Sequence, residues 1–182
     1  MKNIGFIILS PELNSGRLKS TRNSIWNYYN ESVPIVCMAS KNAHSSEIKK
    51  AKELCPVHKG KDTITSLINA GFKHGHKEWN IVVMEGVWVR KRIDKKYSCF
   101  LESEKDIFYS IVMDYDKQGM PVKIYKDFWE SSLNGLAIHQ KTFKEVGELL
   151  DIDSLELSRL GWFEKAQSVN CNFKAVLGAN LG

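Results

Sequence analysis

The chain has 182 residues, 43% of them hydrophobic, and carries 26 lysines and arginines against 21 aspartates and glutamates for a formal net charge of +5. That length suits one domain with a substantial core. The absence of any apolar run near twenty residues excludes a membrane-spanning helix, and so mild a positive charge suits an anionic small ligand or simple solubility without demanding nucleic acid.

The apolar core after Met1-Lys2-Asn3 is too short for a secretory signal and has no small-residue cleavage site, so a cytoplasmic protein is expected. Cys37, Cys55, Cys99 and Cys171 lie far apart with no CxxC pair. Reduced, mostly buried thiols follow, and neither a zinc knuckle nor a disulfide framework is indicated.

In chain order, Ile4 to Leu9 reads as a first strand, Ser10 to Gly16 as a loop and Arg17 to Tyr29 as a helix. Val33 to Ala39, entered at Pro34, is a second strand. Ser45 to Leu54 is a helix capped by Ser45 or Ser46 and ended by Pro56, with a short Val57-His58 strand after it. Ile64, Leu67, Ile68 and Phe72 form one apolar face of a helix from Thr63 to His74, with Asp62 or Thr63 as cap and Gly71 and Gly75 at its end. Trp79 to Met84 is a strand whose continuous apolar run, Ile81 to Met84, predicts burial on both faces. This βαβαβαβ order predicts a parallel sheet with helices on its faces and a ligand cleft at the strand ends.

The second half differs. Ile107 to Met113 and Val122 to Tyr125 flank Asp114-Tyr115-Asp116-Lys117-Gln118-Gly119, which reads as a hairpin turn rather than a metal motif. A strand from Leu136 to His139, helices from Lys141 to Leu150 and from Ser154 to Val169, and a partly apolar tail from Asn172 to Leu181 complete the chain.

The junction at Glu85-Gly86 is the most informative feature, because an acidic residue at a strand end can hold a cation or a sugar hydroxyl. Other readings stay open beside it. Glu85 also suits a strand end paired with a lysine, Asp153 suits a helix N-terminus, and His139 suits a hydrogen-bonded strand end. The run Arg90 to Lys96 suits a solvated loop. Gly60-Lys61-Asp62-Thr63 lacks the spaced glycine of a P-loop, and His74-Gly75-His76 has no third ligand nearby in sequence. Trp26, Tyr28 and Tyr29 suit packing, while an exposed tryptophan such as Trp129 suits stacking on a sugar ring.

Taken together, several stretches resemble one family. Ile7-Ile8-Leu9-Ser10-Pro11 with Asn14, Leu18 and Ser24-Ile25 is similar to a first strand, nucleotide loop and helix. Asn69-Ala70-Gly71 followed by Glu78-Trp79 is similar to an Asn-x-Gly helix that leads into a metal-site strand. Asn134 to Ile138 with Phe143 and Val146-Gly147 resembles the acceptor-side strand and helix, and Asp153 with Leu157 and Arg159 resembles the helix that carries the catalytic base. The family is the small GT-A glycosyltransferases of the family-2 type, in particular the minimal members encoded by cyanophages. The chain departs from it in having Glu85-Gly86-Val87 where Asp-x-Asp is usual, and Ser40-Lys41 where an aspartate often stands.

The resemblance implies a single GT-A-like, Rossmann-like α/β domain with a central mixed, mostly parallel sheet. Residues 1–89 would form the nucleotide-sugar half and 90–182 the acceptor half. It implies hexose transfer from a nucleotide sugar such as UDP-glucose to a saccharide or other hydroxyl acceptor, in the host cytoplasm if the chain is phage-encoded. Ser10, Pro11, Lys59, Lys61, Thr63, Asn69, Glu85 and Gly86 would bind the donor. Trp129, Glu130, Asn134 and Gly135 would form the acceptor side, and Asp153 would be the base of an inverting reaction.

Such chemistry needs stabilisation of the leaving diphosphate. Mn2+ or Mg2+ held by Glu85 with His139 would provide it, or the basic run Arg90-Lys91-Arg92 would replace the ion. Two further classes remain: a catalytically inactive nucleotide- or glycan-binding protein of the same fold, and a nucleic-acid module on Arg90 to Lys96. The lack of interleaved aromatics argues against the module.

Overall fold

The computed structural model describes residues 3–75, 77–89, 103–110, 112–115, 118, 121–125, 127–129, 131–152 and 154–176. Seven elements alternate through the first half: β1 (Ile4–Ser10), α1 (Ser15–Tyr29), β2 (Ile35–Ser40), α2 (Ser45–Lys52), β3 (Val57–Gly60), α3 (Ile64–His74) and β4 (Trp79–Met84). Then come β5 (Asp106–Ser110), β6 (Val112–Tyr115), β7 (Pro121–Tyr125), β8 (Ser132–His139), α4 (Gln140–Val146), α5 (Leu155–Ser168) and β9 (Asn172–Val176).

Seven strands make the main sheet in the order β3-β2-β1-β4-β8-β5-β9, and β6 and β7 form a separate antiparallel pair. The strands β1 to β4 run parallel, β8 runs against both β4 and β5, and β9 is parallel to β5. This is the mixed, mostly parallel α/β sheet that the sequence predicts.

Both faces of the sheet are covered, which is why its strands read as apolar runs without alternation. Phe6, Ile8, Ile81 and Val83 pack with Leu18, Ile25 and Tyr29 of α1 and Ile48 and Ala51 of α2. Ile7, Leu9, Val82 and Ile138 pack on the other face with Leu67, Ile68 and Phe72 of α3, Phe143 of α4 and Trp162 of α5. Burying each such side chain contributes about 1.5–3 kcal/mol relative to exposure.

Side-chain caps set the helix starts. Asn14 accepts from the Arg17 N–H, Thr63 from the Ser66 N–H and Ser154 from the Leu157 N–H. At α2 the cap is His44, one residue before the serines expected to do this. Gly71 does not end α3. It lies inside the helix where a Cβ would come 2.5 Å from Ile7 Cγ2, so its missing side chain lets α3 settle onto β1.

Further differences appear after β4. The stretch expected as one strand from Ile107 to Met113 is two, because β5 belongs to the main sheet and only β6 pairs with β7. Asp114 sits in β6, opposite Lys123. The helix expected from Lys141 to Leu150 stops at Val146, where Gly147 at φ +89 turns the chain out. The partly apolar tail, to which the sequence reading assigns no element, supplies the seventh strand of the main sheet, β9. Cys37, Cys55 and Cys171 are free and buried, with burial pushing the Cys37 thiol up to about 12, and Cys99 lies outside the described residues. No described helix is long and apolar enough to cross a membrane.

Candidate functional site

Parallel strands put their C-terminal ends on one edge, and ligand crevices open on that edge where the connections change direction. Here α1 and α2 lead from β1 outward to β3, and α3 then carries the chain back past β2 and β1 to β4. The change of direction falls between β1 and β4, where Pro11, Glu12, Arg17, Met84 and Glu85 line a crevice of 240 Å³.

Glu85 stands at the mouth of β4, but its side chain is only 3% exposed. The carboxylate accepts from the Asn14 N–H, at 3.1 Å to Oε1 and 3.2 Å to Oε2, and from Arg17 Nε at 2.9 Å. Arg17 also donates from Nη2 to the Glu12 carbonyl at 3.1 Å, while its side chain stays 54% exposed.

The chain beyond Glu85 is laced to the same helix. The Gly86 N–H donates to Thr21 Oγ1 and the Val89 N–H to Ser24 Oγ, both at 2.9 Å. Arg17, Thr21 and Ser24 recur at helical spacing on one face of α1, so one row of side chains takes up successive positions of the loop. Gly86 makes the bend possible with φ at +88.

The same end of α1 also contacts α2. Glu47 accepts from the Ser15 N–H at 2.7 Å, and this bond together with Lys50 pulls its carboxyl down to about 2. The first-turn donors of Asn14, Ser15 and Arg17 are therefore all taken by groups of the chain itself.

A second polar group gathers where β2 and β3 end. Asp62 bonds Ser40 Oγ, accepts from Asn42 Nδ2 at 2.6 Å and lies 3.9 Å from Lys41 Nζ. Sequence reading found no acid at the end of β2; the fold brings one there from the loop after β3. Lys59 donates to the Lys41 carbonyl at 3.4 Å. Lys61 pairs with Asp151 at 2.9 Å, and Thr63 donates to the same carboxylate. Those two bonds hold the Asp151 carboxyl below its ordinary range, Thr63 having the larger effect, and Asp151 raises Lys61 in return. A groove of 460 Å³ runs from this corner along α3, between Ser66, Asn69 and Leu149.

Of the residues expected at the donor, Pro11, Lys59, Lys61, Thr63, Glu85 and Gly86 do lie along this edge of the sheet. The Ser10 hydroxyl does not face it: Ser10 is fully buried and accepts from Cys37 Sγ at 3.4 Å. Asn69 is turned inward too. Its amide donates to the Leu149 carbonyl and accepts from the Leu149 N–H, both at 2.9 Å, which makes it a brace between α3 and the segment after α4.

His139 cannot join Glu85 around one ion. It pairs with Trp79 at the start of β4, six strand positions from Glu85 or about 20 Å at the rise of an extended chain, and its Nδ1 caps α4 by accepting from the Lys141 N–H. Strand β8 is antiparallel, so its end faces the wrong edge.

On the acceptor side, Asn134 meets the crevice wall by accepting from the Met84 N–H at 2.6 Å, next to Gly135 at φ +86. Trp129 is half-buried against Phe163 with ring centres 5.2 Å apart, rather than exposed as a stacking platform. Glu130, Asp153 and the basic run Arg90 to Lys96 lie outside the described residues.

A divalent ion with oxygen ligands takes one or two carboxylates facing it. The Glu85 carboxylate faces a guanidinium instead, and no group of three or more His, Cys, Asp or Glu side chains among the described residues is placed to hold a metal. The residues of this crevice do not fit such an ion as they are arranged. Sequence reading missed Arg17 because it takes its role from a partner 68 positions away.

No protein-family model matches the sequence, and no curated protein does. Solved structures do match in shape. TarS of S. aureus aligns over 98% of this chain at a TM-score of 0.63 and 13% identity. The mannosyltransferase PcManGT from Pyrobaculum calidifontis, in complex with GDP-Man and Mn2+, aligns over 98% at a TM-score of 0.66 and 8% identity. The chain spans 35% of the first and 56% of the second. At these identities the likeness shows the fold alone, an α/β fold shared with TarS and with a mannosyltransferase.

Proposed function

We propose that the chain is a glycosyltransferase that moves a hexose from a nucleotide sugar, UDP-glucose or a similar UDP-sugar, to a hydroxyl acceptor. The observation that carries this reading is the crevice between β1 and β4, which opens at the change of direction of a glycosyltransferase-type sheet and has a guanidinium in its wall. PcManGT, solved with GDP-Man, makes a nucleotide sugar the natural ligand to try.

In the transfer, the bond from the sugar's anomeric carbon to the diphosphate oxygen breaks and the electron pair stays on that oxygen. The acceptor oxygen bonds the anomeric carbon, and its proton passes to a base, the role the sequence resemblance assigns to Asp153. Pro11, Lys59, Lys61, Thr63, Glu85 and Gly86 would border the donor, and Trp129, Glu130, Asn134 and Gly135 the acceptor. PcManGT holds Mn2+, which makes Mn2+ or Mg2+ the ion to try, but the Glu85 carboxylate as arranged here is taken by Asn14 and Arg17.

The engaged state of Glu85 favours a second reading, a protein of this fold that binds a nucleotide or a glycan without turning it over. Titration calorimetry with UDP, GDP, UDP-glucose and GDP-mannose tests both, followed by donor hydrolysis with the best binder. Micromolar binding of a nucleotide sugar with slow release of free sugar is the expected result. Binding without any release favours the second reading, and no binding of any of the four rejects the first reading and the nucleotide-binding form of the second.

A further inference from the structure

The site's main carboxylate and main cation are already joined, and the way they are joined indicates which of them meets a ligand. Glu85 is behind: its side chain is 3% exposed and is fixed by Asn14 and Arg17. Arg17 is in front, with 54% of its side chain exposed and its Nε and Nη2 tied to Glu85 and the Glu12 carbonyl. This leaves the Nη1 hydrogens and the second Nη2 hydrogen unspent on a guanidinium that lines the crevice and is held at two points. An exposed ion pair formed only for stability has no need of a buried carboxylate and a backbone anchor, since such pairs contribute little.

Among the described residues that line the crevice, Arg17 is the one cation. The first-turn N–H groups of Asn14, Ser15 and Arg17 on α1 are bonded to Glu85, Glu47 and Asn14, so they are not available to an anion. Lys61 is paired with Asp151, and Lys41 lies beside Asp62. The carboxylates of Glu85 and Glu47 already occupy the start of α1, so an anion in the crevice is met by the guanidinium and not by the helix end. A guanidinium held in this way presents parallel N–H groups that match phosphate oxygens.

We infer that the β1–β4 crevice binds the diphosphate of its nucleotide ligand without a divalent ion, with Arg17 as the binding cation and Glu85 as the residue that positions it. This rests on the donor-binding reading above and gives the same site a different charge partner. Arg17 then also lies where negative charge builds on the leaving diphosphate oxygen.

The test titrates UDP, and separately GDP, into the full chain with EDTA and with Mn2+, for the wild type and for Arg17→Ala, Arg17→Lys and Glu85→Gln. The wild type is expected to bind one of the two nucleotides with affinities that agree within about two-fold in EDTA and in Mn2+. Arg17→Ala should lose about ten- to a hundred-fold, the worth of a charged hydrogen bond, and Arg17→Lys should fall between. Glu85→Gln keeps one oxygen to accept from Arg17 Nε but loses the ionic tie, so it should weaken binding by less than Arg17→Ala does and leave the affinities in EDTA and in Mn2+ equal to each other.

Binding that appears only with Mn2+ and vanishes in Glu85→Gln overturns the inference and leaves the glycosyltransferase reading standing. Unchanged affinity in Arg17→Ala overturns it as well. If the alanine variant does not fold by circular dichroism, Arg17→Lys carries the test. No binding of either nucleotide in either buffer removes the donor-binding reading and this inference with it.

Discussion

Replacing Trp162 with alanine should cost about 3–5 kcal/mol, the ordinary loss for a buried large aromatic. Trp162 is 1% exposed and touches three aromatic neighbours, with ring centres at 6.0 Å to Phe128, 6.1 Å to Phe143 and 6.4 Å to Phe173. It thereby joins α5 to α4, β9 and the segment before β8. Its indole N–H also donates to the Gly147 carbonyl at 2.8 Å, at the point where α4 ends. The alanine variant therefore loses packing, leaves a cavity and strips a partner from a backbone oxygen. Urea unfolding followed by far-ultraviolet circular dichroism reads the change. Trp162→Phe keeps most of the bulk and should lose only about 1 kcal/mol. Equal losses in the two variants would mean that the hydrogen bond outweighs the packing, contrary to this account.

Asn69→Ala is the second large effect, at about 2–4 kcal/mol, because it leaves both polar groups of the Leu149 backbone unpaired in a buried place. Asn69 is 6% exposed and spans 80 positions of sequence, so no neighbouring side chain replaces it. The brace holds the segment that brings Asp151 to Lys61 and Thr63. Amide exchange at Leu149 should accelerate in the variant, while nucleotide affinity, measured well below the melting temperature, should stay near that of the wild type. A stable variant with weakened nucleotide binding would instead make Asn69 a donor contact.

The first half of the fold was legible because its signals are local. Continuous apolar strands, helices with one apolar face, and the caps Thr63 and Ser154 depend on residues a few positions apart. The second half depends on pairing that no short window shows. Strand β9 has exposed and half-buried side chains and is defined by lying beside β5, with Lys174 Nζ 2.6 Å from the buried Asp106. The break between β5 and β6 occurs where one partner strand gives way to another.

The site shows the same division. That Glu85 ends a central strand can be read from Ile81-Val82-Val83-Met84-Glu85; that its carboxylate is taken by Arg17 and Asn14 cannot, since their encounter is made by the fold. His139 shows how direction misleads. A strand end is a good place for a ligand only on the edge where the parallel strands finish, and β8 runs the other way. Asp62 is the opposite case, an acid found at the end of β2 although the sequence has Ser40-Lys41 there.

The central claim is that the β1–β4 crevice is the nucleotide site. Amide chemical-shift mapping of isotopically labelled protein titrated with UDP or GDP tests it most directly. The account predicts that the largest changes fall on Glu12, Asn14, Arg17, Glu85 and Gly86, saturating with one binding constant. Changes centred on the groove between α3 and α4, around Phe72, Gln140 and Phe143, would contradict it, as would a spectrum that neither nucleotide moves.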